Sequence, residues 1–103
     1  MSKIALIAKL TAADGKADEL KASLASLVAA AEEEAGLEVY SAHEDPKDPN
    51  VIWFYELYAG QEALDVHGRG EQMKPAMKAL GSMLAGRPEV TFLTPLAAKG
   101  LSV

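Results

Sequence analysis

Residues 51–72, VIWFYELYAGQEALDVHGRGEQ, read as a strand running into a short helix, and they hold the only Trp, two of the three Tyr and one of the two His in the chain. Every side chain from Val51 to Tyr55 is apolar or aromatic, so both faces of this strand are expected to be covered. That places it inside a sheet rather than at a wet edge. Glu56 and Tyr58 follow, and Gly60 breaks the pattern. In the helical segment beyond, Ala63, Leu64 and His67 share one face.

Working outward, residues 3–11 (KIALIAKLT) form a first strand, apolar on both faces at its centre, that ends before a turn-like Ala13-Asp14-Gly15. From Lys16 to Ala35 the residues Leu20, Leu24, Leu27, Val28 and Ala31 recur at helical spacing, which gives an amphipathic helix with one buried stripe. Gly36 reads as its left-handed terminator, and the acidic run Glu32-Glu33-Glu34 reads as a solvated face. Residues 37–45 (LEVYSAHED) alternate as a second strand, with Leu37, Val39, Ser41 and His43 on one face and Glu38, Tyr40, Ala42 and Glu44 on the other. Pro46 and Pro49 mark a turn, so this strand and the aromatic one form a hairpin.

Beyond the quoted stretch, Gly68-Arg69-Gly70 interrupts the helix, and Met73, Met77, Leu80 and Leu84 resume an apolar stripe. Pro75 is tolerated there because it falls in a first turn. Gly86-Arg87-Pro88 ends this helix, and residues 89–94 (EVTFLT) give a fourth strand. The order is β-α-β-β-α-β with a broken second helix, which specifies an α+β, ferredoxin-like unit: a four-stranded antiparallel sheet with its helices on one face. Helices on one face leave the other face of the apolar strands bare. Several large side chains, each worth ~1.5–3 kcal/mol when buried, then need a second cover, most simply an identical subunit. The tail after Pro95 is long enough to reach over that neighbour.

Composition narrows the function. With 103 residues, half of them hydrophobic, the chain reads as one domain spanning residues 1–103. A net charge of −5 with no basic stripe argues against nucleic acid and against anionic membrane surfaces. No cysteine is present, so disulfides, thiolate metal sites and cysteine nucleophiles are excluded. The apolar run Ile4–Ala8 is too short for a signal or membrane segment, and a soluble cytoplasmic protein is expected.

The chemical candidates cluster in the opening stretch. His67, on the apolar side of its helix, suits a proton acceptor near neutral pH, although a helix-terminal cation fits the same position. Glu56 ends an otherwise apolar strand, where it either orients an imidazole or a substrate hydroxyl or pairs with a cation across a dimer. Trp53, Phe54, Tyr55 and Tyr58 suit the walls of a flat aromatic ligand, or simply a core. His43 reads as a surface residue, and its neighbours Glu44 and Asp45 point to alternate strand faces and do not converge with it on a metal. Gly68-Arg69-Gly70 lacks the preceding strand of a nucleotide-binding loop, and no flavin, nicotinamide or other cofactor is expected.

Four segments together carry a family resemblance: Glu34-Ala35-Gly36-Leu37 with Tyr40, Phe54-Tyr55-Glu56-Leu57-Tyr58, Glu62-Ala63-Leu64 with His67, and Leu84-Ala85-Gly86-Arg87-Pro88-Glu89-Val90. In that order and spacing the chain resembles the antibiotic biosynthesis monooxygenase (ABM) family over nearly its whole length. The resemblance implies a ferredoxin-like subunit pairing as a homodimeric α/β barrel. It also implies a cofactor-independent monooxygenase acting with O2 on a small aromatic, quinol- or polyphenol-like substrate. An isomerase or epimerase of a small signalling molecule and a non-catalytic dimeric ligand-binding module belong to the same range of expectations. Many members carry a second His five residues after the first, where this chain has Gln72. By spacing, the Asn, Trp and His of the haem-degrading branch fall near Ala8, His67 and Met77, and none matches. An oxygenase without a cofactor needs a base, a dry pocket and a donor for developing charge. Here the candidates are His67 with Glu56, the aromatic residues, and Arg69.

Overall fold

A computed structural model describes residues 2–69 and 74–103. Its elements are β1 (Ile4–Thr11), α1 (Ala17–Ala31), β2 (Leu37–Glu44), β3 (Val51–Tyr58), α2 (Gln61–Arg69), α3 (Lys74–Gly81) and β4 (Glu89–Leu93). All strand pairs are antiparallel, in the order β2-β3-β1-β4. The two strands whose sequences are apolar on both faces, β1 and β3, are therefore the central pair. This is the expected ferredoxin-like arrangement, with the second helix divided into α2 and α3.

Strand periodicity divides the side chains between two surfaces. Leu6, Ala8 and Leu10 of β1 and Ile52, Phe54 and Tyr58 of β3 form one core with Leu20, Leu27 and Ala31 of α1 and Leu80 of α3. The residues between them, including Ile7, Trp53 and Tyr55, belong to the opposite face, where these three are only half-buried. On that face the Trp53 indole N–H donates to Asp45 Oδ2 at 2.9 Å, and Lys9 Nζ lies 5.6 Å from the indole centroid. Among the described residues no helix is long and apolar enough to cross a membrane.

Local details depart from the sequence reading in three places. The first helix stops at Ala31 rather than Ala35: Glu32 N–H bonds Ala29 O at 3.3 Å and Glu34 N–H bonds Ala31 O at 3.0 Å, i→i−3 contacts that replace a further α-turn with tighter ones. In β2 a register shift between Leu37 and Val39 puts Leu37 opposite Tyr58 on the helix side, so Leu37 and Val39 do not share a face. At the other end, α3 stops at Gly81, and Leu84 bridges Ala12 in place of a further helical turn.

Gly36 has a different role from the terminator read in the sequence. Its φ is not positive; among the described residues only Gly15 and Gly100 have that conformation. What Gly36 supplies is room, because a Cβ built on it would stand 2.5 Å from Ala63 Cβ and 3.4 Å from Ala63 Cα of α2. Its carbonyl accepts from Ala59 N–H at 2.8 Å, so the turn before β2, the end of β3 and the start of α2 converge at this point. Gly36→Ala sets two effects against each other. Lower unfolded-state entropy favours Ala by ~0.4–1 kcal/mol, whereas overpacking against a helix backbone costs ~1–3 kcal/mol. The expected net result is a lower melting temperature with α2 displaced from the 34–37 turn; a variant as stable as the parent would show that this approach is not tight.

Candidate active site

The periodicity that sends Phe54 and Tyr58 to the helix side must send Glu56 there as well, so a carboxylate enters an apolar layer as a consequence of register. Glu56 is 7% exposed. It faces a cavity of about 190 Å³ between sheet and helices, whose apolar wall includes Leu6, Ala8, Phe54, Leu64, Leu80 and Val90. Tyr40, Glu56, Tyr58 and His67 supply the polar groups of the lining.

His67 is brought to this cavity by α2. Its Nδ1 lies 3.1 and 3.0 Å from the two carboxylate oxygens of Glu34, and its Nε2 lies 3.9 Å from Glu56 Oε1. The imidazole therefore stands between two carboxylates. Its ring is edge-on to Tyr40 at 5.4 Å between centroids and 5.7 Å from Tyr58, and Tyr40 also tilts against Phe54 at 5.0 Å. The Tyr58 hydroxyl donates to Glu56 Oε1.

The electrostatics follow from burial. Glu56 is held above the ordinary glutamate range, first by desolvation, with the Tyr58 hydrogen bond and His67 pulling the other way and the Glu34 charge adding to the rise. Both tyrosines are pushed up from the usual phenol value. For Tyr40 desolvation comes first, then the charges of Glu56 and Glu34; for Tyr58 desolvation is followed by its hydrogen bond to Glu56. Both phenols stay protonated through the physiological range. They can donate hydrogen bonds there but cannot serve as bases.

Of the residues singled out from sequence, the fold brings His67, Glu56, Phe54 and Tyr58 together. Trp53 and Tyr55 lie on the opposite sheet face and are not part of this cavity's lining, because alternate residues of one strand cannot share a surface. The side chain of Arg69 lies outside the described residues, as do Gln72 and Met73. His43 is exposed, with Nε2 2.9 Å from Ser41 Oγ.

Two residues of the site had been given no role. Glu34, the last of an acidic run read as solvated, is 7% exposed and turns inward; Tyr40 turns in from β2. Both belong to the motif segment Glu34–Tyr40, and that was the signal available. A larger hollow of about 290 Å³ lies between the 34–37 turn and the start of α2, but it lacks His67, Glu56 and both tyrosines. The chemistry therefore belongs to the smaller cavity.

A four-stranded ferredoxin-like sheet with a half-buried imidazole and two buried carboxylates defines a class of small α+β proteins with a cavity between sheet and helices. The profile of the antibiotic biosynthesis monooxygenase family matches residues 3–79, and the chain belongs to that family. Among solved structures it is similar to a Caulobacter crescentus CB15 protein provisionally assigned as an antibiotic biosynthesis monooxygenase, with 30% identity, a TM-score of 0.86 and coverage of 93% of this chain and 92% of that one. PA3566 from Pseudomonas aeruginosa is also 30% identical, with a TM-score of 0.84 and coverage of 94% and 97%. Rv0793 from Mycobacterium tuberculosis is 25% identical, with a TM-score of 0.84 and coverage of 94% and 98%. No curated protein matches the sequence.

The raised carboxyl of Glu56 makes a prediction about stability. A folded chain that binds this proton more tightly than the unfolded chain loses stability as pH rises from the unfolded value, ~4.3, through the higher folded value. Glu56→Gln removes that dependence while keeping an acceptor for the Tyr58 hydroxyl. Its melting temperature relative to the parent should climb across this window and then level off. A difference that stays flat from pH 4 upward would show that burial does not raise the Glu56 carboxyl.

Proposed function

We propose that the chain is a cofactor-independent monooxygenase acting on a small aromatic, quinol- or polyphenol-like substrate, with His67 as the general base. The observation that carries this reading is a single imidazole set at the edge of a hydrocarbon cavity. The size fits: about 190 Å³ exceeds the ~150 Å³ apolar cavity that admits benzene, and suits one or two fused rings. Phe54 and Tyr40 supply flat walls and Tyr58 holds Glu56.

In this reaction a substrate hydroxyl gives its proton to His67 Nε2, and the electron pair stays on the substrate as an electron-rich anion. The anion reduces O2 directly. One oxygen atom enters the ring as the substrate gives up two hydrogens, and the other leaves as water, so that SH2 + O2 becomes SO + H2O. The apolar wall keeps bulk water from competing for the anion. An isomerase taking a phosphorylated ligand is a weaker reading, because no Lys or Arg occurs among the described residues that line the cavity.

Replacing His67 with Ala strands the buried Glu34 carboxylate and should lower the melting temperature, and in the protein that remains folded O2 consumption with a reduced quinone should fall by roughly 100- to 10,000-fold, the usual contribution of a general base. Full turnover in that variant would reduce His67 to a structural residue. Binding of phenols by the parent chain without any O2 uptake would put a ligand-binding module in place of the enzyme.

The working unit in this proposal is a homodimer joined through sheet faces. Half-buried Ile7, Trp53 and Tyr55, with exposed Leu93 of the edge strand β4, lie on the side away from the helices and leave apolar surface there that a second copy would cover. Light scattering over a dilution series should report twice the chain mass into the low micromolar range. A folded monomer at that concentration would rule the pairing out.

A further inference from the structure

We propose that Glu34 is a positioning residue that fixes the tautomer of His67, holding the ring as Nδ1–H so that the Nε2 lone pair faces the cavity. The effect on turnover rests on the base assignment for His67 made above; the tautomer itself does not.

The argument begins with the donor inventory. An ionised carboxylate only accepts hydrogen bonds, and a neutral imidazole has one donor nitrogen and one acceptor. Both Glu34 oxygens lie within hydrogen-bond distance of Nδ1, at 3.1 and 3.0 Å, so the ring proton belongs on Nδ1. The remaining nitrogen, Nε2, is 3.9 Å from Glu56 Oε1, beyond hydrogen-bond reach. No hydrogen bond therefore ties Nε2 to the second carboxylate, and its lone pair is left to a ligand hydroxyl.

Backbone contacts show why Glu34 can impose this orientation. Its N–H bonds Ala31 O at 3.0 Å, its own carbonyl accepts from Leu37 N–H at 3.0 Å, and Gly36 O accepts from Ala59 N–H at 2.8 Å. The carboxylate thus stands on a turn pinned to the end of β3, the strand that also carries Glu56. The ring itself rides on α2, whose approach to that turn is set by Gly36 against Ala63. Glu34 registers the helix-borne imidazole against the sheet-borne half of the cavity. When the O–H bond of a ligand breaks and Nε2–H forms, the Nδ1 proton stays in place, and the new positive charge on the ring is met by a carboxylate already in contact.

The readout is long-range 1H–15N correlation on the imidazole at a pH where it is neutral, with His43→Gln removing the one other histidine signal. The parent should show a protonated, pyrrole-like Nδ1 and an unprotonated, pyridine-like Nε2. In Glu34→Ala the ring should revert toward the Nε2–H form that unrestrained histidine prefers, and kcat with a reduced quinone should fall about 10- to 100-fold, the usual cost of losing a group that orients a functional histidine, with KM little changed. Glu34→Gln, whose carbonyl can still accept from Nδ1–H but which carries no charge to meet the protonated ring, should keep the tautomer and recover kcat only in part, and its tautomer stays informative if the Ala variant does not fold. A parent ring in the Nε2–H form overturns the proposal, as does a folded Ala variant with an unchanged tautomer. A parent with the Nδ1–H signature and no O2 uptake would support the positioning role of Glu34 while removing the monooxygenase reading.

Discussion

An imidazole and two carboxylates share a layer that is otherwise hydrocarbon, and most of the local architecture answers to that. A carboxylate taken out of water costs several kcal/mol unless neighbouring donors or charges compensate. Glu34 has the His67 ring against both of its oxygens; Glu56 has the Tyr58 hydroxyl, with the far side of the same ring 3.9 Å away. The ring is the group common to both. Any change that moves α2 away from the 34–37 turn would therefore strand Glu34 in apolar surroundings, and the contact of Gly36 with Ala63 is as much an electrostatic requirement as a steric one.

Register carries the second half of the arrangement. In β3 a single eight-residue strand, Val51–Tyr58, supplies the cavity and the opposite sheet face with alternate side chains. Ile52, Phe54 and Tyr58 join the helix-side core, and Glu56 comes with them; Trp53 and Tyr55 point the other way. A slip of one residue would exchange the two sets, placing an indole against the helices and Glu56 on the outer face. The pairing of β3 with β1 over its full length and with β2 from Ile52 to Tyr58 holds the register, and hence the cavity, in place.

The order of elements and the central position of β1 and β3 were legible because hydrophobic periodicity reports burial directly. Which aromatic residues share a surface was also implicit in that periodicity, but treating Trp53, Phe54, Tyr55 and Tyr58 as one group set the alternation aside. Glu34 was hidden for a different reason. In a run of three glutamates at a helix end, solvation is the ordinary outcome, and only the early stop of α1 at Ala31 turns the third one inward. That stop is made by i→i−3 hydrogen bonds to Ala29 O and Ala31 O, which have no signature in local composition. The register shift at the start of β2 is of the same kind, since Leu37 changes face to meet Tyr58 and nothing in the alternation of residues 37–45 announces it.

The perturbed phenols divide the labour of the proposed reaction. Tyr40 and Tyr58 are kept neutral by burial and by the same carboxylates that flank His67, so neither competes with the imidazole for a substrate proton. Tyr58 spends its hydrogen on Glu56. Tyr40 lies edge-on to His67 and against Phe54, on the wall where a flat ligand would stack, and its neutral phenol keeps a proton to donate. A substrate anion formed beside it would gain a neutral donor without meeting a second base, and the negative field of Glu34 and Glu56 that raises the phenols also opposes the anion's persistence. The same field opposes the anion while it forms, and in the proposed reaction it is offset by the proton arriving on His67, whose ring already touches Glu34.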